Sequence, residues 1–403
     1  MHKSISGPIR GVLLAATAVA GLSSAAQAQT AMRAADFLGT LGVNTHLDFT
    51  GAYKSTANII AAVNYLGVKL LRDSLASDND MRLWRPVFER TGAKFWVFLG
   101  ETNPADMRAQ LGYIQPFVAA GMVAGIEGGN EEDDNYPAKL GNTLAITAAF
   151  QPTVYAQGMK WGLPVGQMSF GSGWTSDNDW RGNYDKLGDL SAWATYGNAH
   201  TYPNAPNGEP DSSIQRVNGL ARLTTPGKPV MTSEIGWDQG KPGFTRAKVA
   251  AWTLDAAFDG VKNGNVAMFY YGLFDDISGP FGIMNADGSP RPAGTALHNL
   301  TTLLADTGKA AATFKPASLA YTLSGTVHGD NAVLLEKSDG TYWLALWNET
   351  AATHRVTVTL PASAASIATI DPLTGTAATA TVAASATADI AVPSHPVLVK
   401  IAL

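Results

Sequence analysis

The sequence of 403 residues contains no cysteine. Disulfides, thiolate metal sites, iron–sulfur clusters and cysteine nucleophiles are therefore excluded, and the fold must be stabilised by its core. A basic excess is also lacking, because the formal net charge is -5, and this argues against a nucleic-acid partner, which would need a basic face. Hydrophobic residues make up 46% of the chain and charged residues 15%, a balance that indicates a large buried core.

Motifs for phosphate or metal binding are absent too. There is no G-x-x-x-x-G-K-[ST], no G-x-G-x-x-G after a strand and no H-E-x-x-H, and the seven histidines are scattered. The D-D-N at 133–135 lacks the pattern of a calcium loop. We therefore predict that the protein needs no cofactor and no metal.

No hydrophobic run is long enough to cross a membrane. The run GVLLAATAVAGL follows Lys3 and Arg10 and precedes an A-Q-A that ends at Ala28. A basic start, a short apolar run and a small-residue cleavage site are the layout of a secretory signal peptide. We predict that residues 1–28 are this signal peptide, cleaved after Ala28, and that the protein is secreted or periplasmic, without a membrane span. We expect a monomer.

Short apolar runs alternate with helical patterns between residues 38 and 306. In one helical stretch, Ile59, Ile60, Val63 and Leu66 fall on one face. Eight such alternations predict a (β/α)8 TIM barrel, and the length favours it over the alternative, an open doubly wound sheet. The predicted strands are 41–49, 68–74, 94–100, 123–131, 160–170, 196–202, 229–237 and 266–274.

The composition changes near residue 307, where the chain becomes rich in Ala, Thr, Val and Ser. Several β-like runs follow, and Asp339-Gly340 between two of them predicts a hairpin turn. We predict that the catalytic barrel of residues 29–306 is followed by a small C-terminal antiparallel β-sandwich of residues 307–403. Because this region carries no dense set of acids, we interpret it as an accessory domain.

Acidic residues end two of the predicted barrel strands. Asn130 and Glu131 end the fourth strand, and Glu234 ends the seventh. In a barrel these ends meet at one face, where active sites lie. Two facing carboxylates are what glycoside hydrolysis requires: one protonates the leaving oxygen, and the other attacks the anomeric carbon or activates a water. The alternatives are a solvated loop acid for Glu131 and a structural ion pair for Glu234.

Three further acids follow Glu131 directly. We interpret Glu132, Asp133 and Asp134 as loop or helix-start acids ahead of Pro137, since negative charge is favourable near a helix N-terminus. Runs of acids are usually solvated. Of the four carboxylates in this run, we therefore select Glu131 for chemistry.

The G-N-E at 129–131 and the T-S-E-I-G-W at 232–237 resemble the clan A glycoside hydrolases, which include families 5, 17 and 39. The resemblance covers roughly residues 38–306 and implies Glu131 as acid/base, Glu234 as nucleophile and retention of configuration. It extends to Arg72 on the second strand, to H-T-Y at 200–202 and to the stretch 281–300, which is similar to the eighth loop and last helix of the clan. The appended β-sandwich is similar to that of family 39.

One departure concerns the eighth strand, where many clan members carry a tryptophan under the sugar. This chain has F-Y-Y-G-L-F there, and Tyr271 is the candidate substitute. Loop tryptophans could add apolar contacts to sugar rings, although ordinary loop packing is the alternative. Arg72 could likewise neutralise buried acids without touching substrate. The candidate substrate-binding residues are Arg72, Asn130, His200, Tyr202, Trp237, Tyr271 and Trp174.

Together these features predict an exported retaining glycoside hydrolase that cleaves a β-linked polysaccharide or oligosaccharide. The β linkage is implied by the resemblance, and endo and exo action both remain open. Two alternatives from other classes are a non-catalytic carbohydrate-binding protein on a barrel scaffold and a structural envelope protein. The joint presence of Glu131 and Glu234 argues against both alternatives.

Overall fold

The computed structural model describes residues 27–101, 103–133, 143–171, 181–204 and 208–403. Within these residues the chain forms two sheets of eight strands each. The first strands, β1 (Gln27–Thr30) and β2 (Met32–Arg33), belong to the second sheet, and the chain then enters a barrel. No described helix has the length and apolar character needed to cross a bilayer.

The barrel consists of eight parallel strands in the order β7-β6-β5-β4-β3-β10-β9-β8. A parallel bridge between Gly166 and Tyr196 joins the two ends of this order, so the sheet closes. The predicted (β/α)8 barrel is confirmed, and the open doubly wound sheet is wrong. The strands are β3 (Leu41–Asn44), β4 (Leu70–Ser74), β5 (Lys94–Leu99), β6 (Val123–Gly129), β7 (Val165–Gly166), β8 (Gly197–Thr201), β9 (Val230–Ile235) and β10 (Asn265–Tyr270).

Helices alternate with these strands and pack their apolar faces on the barrel. In the helix of residues 56–66, the Ser55 side chain accepts a hydrogen bond from the Asn58 amide at the start, and Gly67 ends the helix at φ 72°. The helices are α1 (Ala34–Leu38), α2 (Thr56–Leu66), α3 (Met81–Thr91), α4 (Pro104–Ala119), α5 (Thr143–Trp161), α6 (Arg181–Leu187), α7 (Pro210–Thr224), α8 (Arg246–Lys262) and α9 (Pro292–Leu304).

The observed strands are shorter than the predicted ones. The predicted strand 160–170 overlaps the end of α5, and only Val165–Gly166 is extended. The predicted first strand, 41–49, ends at Asn44.

The second sheet follows the barrel and is antiparallel except where β2 runs parallel to β12. Its order is β1-β11-β14-β16-β13-β12-β2, with β15 paired to β14. The turn predicted at Asp339-Gly340 joins two antiparallel strands, β12 and β13. The further strands are β11 (Ser318–Ser324), β12 (Asn331–Glu336), β13 (Tyr342–Trp347), β14 (His354–Ile370), β15 (Ala378–Val392) and β16 (Val397–Ala402).

Strands from both ends of the chain build this second sheet, because β1 pairs with β11 and β2 with β12. Residues 29–33, assigned to the barrel domain from the sequence, therefore pair outside the barrel. One face of the sheet forms its own apolar core, and the other contributes Trp347 to the core of the barrel. The ring centroids of Trp347 and Phe258 of α8 are 5.7 Å apart. The cleavage site after Ala28 stays a prediction.

Candidate active site

A buried arginine organises the C-terminal mouth of the barrel. Arg72 on β4 is 1% exposed. Its Nε donates to Glu127 at 2.6 Å, and its Nη1 donates to Asn44 at 3.0 Å and to Glu234 at 2.7 Å. Its Nη2 donates to Asn130 Oδ1 at 2.6 Å. One guanidinium from β4 thus connects side chains that lie on or just after three other barrel strands, β3, β6 and β9.

The burial of this charge is compensated locally. Removing a cation from water is costly unless it is paired and hydrogen-bonded. Burial lowers the pKa of Arg72, but the nearby carboxylates of Glu127 and Glu234 raise it by a larger amount, so the net shift is upward. The ring of Phe98 lies 4.3 Å from the guanidinium carbon and adds a cation–π contact. Arg72 is therefore a permanent cation beneath the mouth.

Glu127 is a site residue that the motifs at the strand ends do not include. It lies on β6, is 1% exposed, and accepts from Asn198 Nδ2 at 2.5 Å as well as from Arg72. A signal was present in the sequence, since Glu127 interrupts the apolar strand V-A-G-I-E-G-G. A buried carboxylate in such a strand would be costly without a cation. Pairing it with the arginine of the second strand would have identified it.

Glu234 ends β9 and is 6% exposed. One carboxylate oxygen accepts from Arg72, and the other accepts from the phenol of Tyr202, just beyond β8. Burial and the charge of Glu234 raise the pKa of Tyr202 well above its ordinary value. The phenol therefore stays neutral and remains a hydrogen-bond donor to this carboxylate.

Glu131 follows β6 and faces the cavity with a side chain 22% exposed. Its backbone adopts a left-handed conformation with φ 53°, and its amide donates to Ser169 Oγ at 3.2 Å. Such a conformation is uncommon for a glutamate and costs free energy of about 1–3 kcal/mol, and strained residues of this kind cluster at functional sites. It turns the side chain toward His200, whose Nδ1 lies 2.5 Å from Glu131 Oε1.

His200 lies between the two candidate glutamates, with Nδ1 also 3.4 Å from Glu234 Oε2. Its Nε2 is 3.5 Å from Nη2 of Arg72, which can only donate. We therefore assign the proton to Nδ1, which donates toward Glu131. Burial lowers the pKa of His200 to about 4, with Glu234 opposing and Arg72 adding to the shift. At neutral pH the imidazole is uncharged.

The two candidate carboxylates are close to each other. Glu131, His200 and Glu234 each offer one polar atom, and these atoms all lie within 4.8 Å of one another. Such a group could also ligate a metal ion, but Arg72 already supplies a positive charge to Glu234. The expectation that the site works without a metal stays a prediction.

A cavity of about 350 Å³ opens above these side chains. Tyr271, beyond β10, lies in its wall, and its hydroxyl donates to Asp276 at 3.1 Å and contacts Ser278 at 2.9 Å. The cavity is lined by His46, Phe98, Asn130, Glu131, Tyr202, Pro203, Asn204, Glu234, Gly236, Asp238, Lys241, Phe244, Tyr271, Ser278 and Phe281.

The structure thus brings most of the predicted site residues together. Glu131, Glu234, Asn130, Tyr202 and Tyr271 line the cavity. Arg72 and His200 are fully buried and reach it through hydrogen bonds to the two glutamates.

The predicted tryptophans behave differently. Trp237 does not line the cavity: it is 3% exposed, its indole N–H donates to Gly208 at 2.7 Å, and its ring stacks at 6.0 Å on Trp252 of α8. A tryptophan just after a strand can pack down on the neighbouring helix as well as up toward solvent, and α8 provides an aromatic partner. Trp174 lies outside the described residues.

The acidic run after Glu131 has a structural function in part. Asp133 accepts hydrogen bonds from the Gly171 amide at 2.7 Å and from Asn183 at 3.2 Å. These bonds connect the loop after β6 to the segments that follow β7. Asp133 thus fits its interpretation as a loop acid, and Asp134 lies outside the described residues.

Comparison with known proteins gives a fold but no sequence family. No protein-family model matches the chain, and no curated protein sequence matches it. The structure resembles a family 39 glycoside hydrolase from the gut symbiont Bacteroides cellulosilyticus WH2, with a TM-score of 0.60, 15% identity, and coverage of 91% of this chain and 82% of that chain.

Two further solved structures are similar over most of their length. The catalytic domain of a family 30 xylanase from Talaromyces cellulolyticus matches with a TM-score of 0.57 and 14% identity, over 93% of this chain and 98% of that chain. An endo-β-1,6-glucanase matches with a TM-score of 0.54 and 14% identity, over 94% of this chain and 93% of that chain. The barrel with its appended sheet is thus a fold that this chain shares with these glycoside hydrolases.

Proposed function

We propose that the protein is a retaining glycoside hydrolase that cleaves a β-linked polysaccharide or oligosaccharide. The observation that carries the proposal is the pair Glu131 and Glu234, with oxygen atoms within 4.8 Å of each other at one wall of an open cavity. Retaining enzymes hold their two carboxyl groups about 5–5.5 Å apart, whereas inverting enzymes leave room for a water at about 6.5–9.5 Å. The fold shared with glycoside hydrolases supports the same reading.

In the first step, Glu234 attacks the anomeric carbon while Glu131 gives its proton to the glycosidic oxygen, and the leaving group departs. Arg72 and Tyr202 donate to the two oxygens of Glu234 and orient them. They stabilise the carboxylate before attack and again when it leaves. The glycosyl ester is therefore formed and broken against fixed donors, which need no reorganisation.

In the second step, Glu131 accepts a proton from water, the oxygen of that water bonds to the anomeric carbon, and the bond to Glu234 breaks. The N–H of His200 donates to Glu131 and favours the ionised form that this step needs. A neutral imidazole can hold that bond without competing for the proton that Glu131 transfers.

We also propose that the protein is exported, on the strength of the signal-peptide pattern in residues 1–28. A carbohydrate polymer outside the cell fits such a location. No cofactor has a part in the proposed steps, since the two glutamates supply acid, base and nucleophile.

The test is a release assay of the chain from residue 29 onward on a panel of β-linked glycans, beside Glu131→Ala and Glu234→Ala. Removing either carboxylate should lower kcat/KM by at least ~10³-fold, because each acts in the bond-breaking step. Glu132→Ala is the matched control from the same acidic run and should stay within a few-fold of wild type. Azide should restore turnover of Glu234→Ala by replacing the missing nucleophile.

Three results would contradict the proposed function, each in a different way. Full activity in either alanine variant would show that the carboxylate pair is not the catalytic pair. An α-configured first product from a β-linked glycan, seen by NMR, would show inversion and refute the double displacement. Binding of a glycan without any cleavage would favour the carbohydrate-binding alternative.

A further inference from the structure

A second depression adjoins the catalytic cavity. It has a volume of about 500 Å³ and lies between the segment after β3 and the segment after β10. This volume falls in the range of small-ligand pockets, roughly 300–1,000 Å³. Its lining is formed by Phe49, Thr50, Gly51, Ala52, Asp275, Asp276 and Ile277.

Two large apolar side chains in this depression face solvent. Phe49 is 39% exposed, and Ile277 is 93% exposed. Leaving such surface in water forgoes roughly 25 cal/mol for each Å² of apolar area that could be covered. An aromatic ring with an open face suits the apolar face of a pyranose.

The depression and the catalytic cavity share a wall. The ring of Phe49 stacks on that of His46 at 4.5 Å with an interplanar angle of 13°, and His46 lines the catalytic cavity. His46 Nε2 lies 3.3 Å from Asp276, whose carboxylate also accepts from Tyr271 at 3.1 Å. The two hollows are therefore separated by one layer of side chains, and a ligand could continue from one into the other.

The position of the depression relative to Glu131 determines which end of the substrate it would bind. Around the barrel, β6 and β10 are separated by β5, β4 and β3 on one side and by β7, β8 and β9 on the other, so they are opposite strands. Glu131 follows β6 and protonates the leaving group in the proposed mechanism. The leaving group thus lies toward β6, and the rest of the sugar chain extends toward β10 and the depression.

We propose that this depression binds a second sugar ring of the same substrate, on the glycone side of the ring attacked by Glu234. Phe49 and Ile277 cover its apolar surface, and His46 with Asp276 forms the ridge over which the linkage passes. This inference rests on the proposed function. It implies a substrate with at least two linked sugars on the glycone side, so the enzyme releases fragments of two or more units.

The experiment compares 4-nitrophenyl β-glycosides of glucose, galactose and xylose with the nitrophenyl glycosides of the corresponding β-linked disaccharides. Both series have the same leaving group, so only the second ring differs. Wild type should prefer a disaccharide substrate by ~10-fold or more in kcat/KM. Phe49→Ala and Ile277→Ala should each remove most of that preference and leave the monosaccharide rate within ~2-fold.

Met159→Ala on α5 is the matched control, because Met159 is 47% exposed and does not line either hollow. It should change neither substrate series. Equal losses on both series in Phe49→Ala, or no loss on either, would overturn the inference while leaving the proposed function standing.

A binding measurement separates failure of the subsite from failure of the proposed function. Xylotetraose and the β-1,3- and β-1,6-linked glucotetraoses are titrated into wild type and Phe49→Ala. Suppose that no glycoside and no tetraose is cleaved, but that a tetraose binds wild type at least ~5-fold more tightly than it binds Phe49→Ala. The subsite is then supported, and the proposed function fails. If nothing is cleaved and nothing binds, or if binding is unaffected by Phe49→Ala, the subsite is refuted.

Discussion

Glu127→Gln is the substitution whose effect on stability follows most directly from the structure. The Glu127 carboxylate accepts from Arg72 Nε at 2.6 Å, from Arg72 Nη2 at 3.3 Å and from Asn198 at 2.5 Å. A glutamine keeps the shape but brings an amide N–H₂ against these donors. It also leaves the buried Arg72 cation with Glu234 as its remaining anionic partner.

Removing one partner of a buried ion pair costs about 3–5 kcal/mol of unfolding free energy. At an unfolding entropy of about 2.1 cal/mol/K per residue, 1 kcal/mol shifts the thermal midpoint of a 403-residue chain by about 1.2 °C, so we expect a decrease of roughly 4–6 °C. Activity should fall as well, because Arg72 also holds Glu234 and Asn130.

Glu89→Gln is the control for this experiment. It removes an ion pair to Arg85 at 3.8 Å, in which the side chains are 51% and 57% exposed. Exposed pairs contribute about 0–1 kcal/mol, so its midpoint should stay within ~1 °C of wild type. The assay is thermal unfolding followed by circular dichroism. A Glu127→Gln midpoint as high as that of Glu89→Gln would refute the view that the buried cluster is held by this carboxylate.

Three further predictions concern single side chains. Tyr202→Phe removes the phenol donor to Glu234 and should lower kcat/KM by ~10–100-fold at an almost unchanged thermal midpoint; an unchanged rate would contradict it. Burial lowers the pKa of His200 to about 4 from 6.5, so the stability it contributes is present above pH 6.5 and is lost as pH falls toward 4; in His200→Gln the midpoint should depend less on pH there. Glu349, just after β13, lies beside Asp259 of α8, and burial together with that carboxylate raises the pKa of Glu349 well above its ordinary value; stability from its protonated form is lost as pH rises above that ordinary value, so at pH 9 Glu349→Gln should have a higher midpoint than wild type.

The site could be predicted in part because its residues lie at the C-terminal ends of barrel strands. In a barrel every parallel strand directs its C-terminal end to one face, so Asn130, Glu131 and Glu234 could be assigned to a common site without knowledge of distances. The resemblance to clan A adds Arg72 to the same site. Contacts among these residues could not be derived, since they are separated by tens of positions in the chain and depend on the stagger of neighbouring strands.

Side chains whose function depends on what packs against them were the harder cases. Trp237 was predicted to bind substrate because it follows a strand outside any helical stripe, but Trp252 on α8 provides an apolar partner and buries it. For Glu127 the sequence shows an acid in an apolar strand but not which residues pack against it. Its partners, Arg72 and Asn198, are 55 and 71 positions away.

Sequence patterns were enough to predict the barrel, the antiparallel strands after it and the acids at the strand ends. Periodicity, turn residues and the positions of charged residues along the chain are local properties, and a parallel barrel converts them into a common face. Four features could be seen only in the folded chain: the hydrogen bonds of Arg72, the neutral state of His200, the pairing of β1 and β2 with the second sheet, and the depression beside Phe49. Each of these depends on burial and on distances between residues far apart in the chain, which no local pattern records.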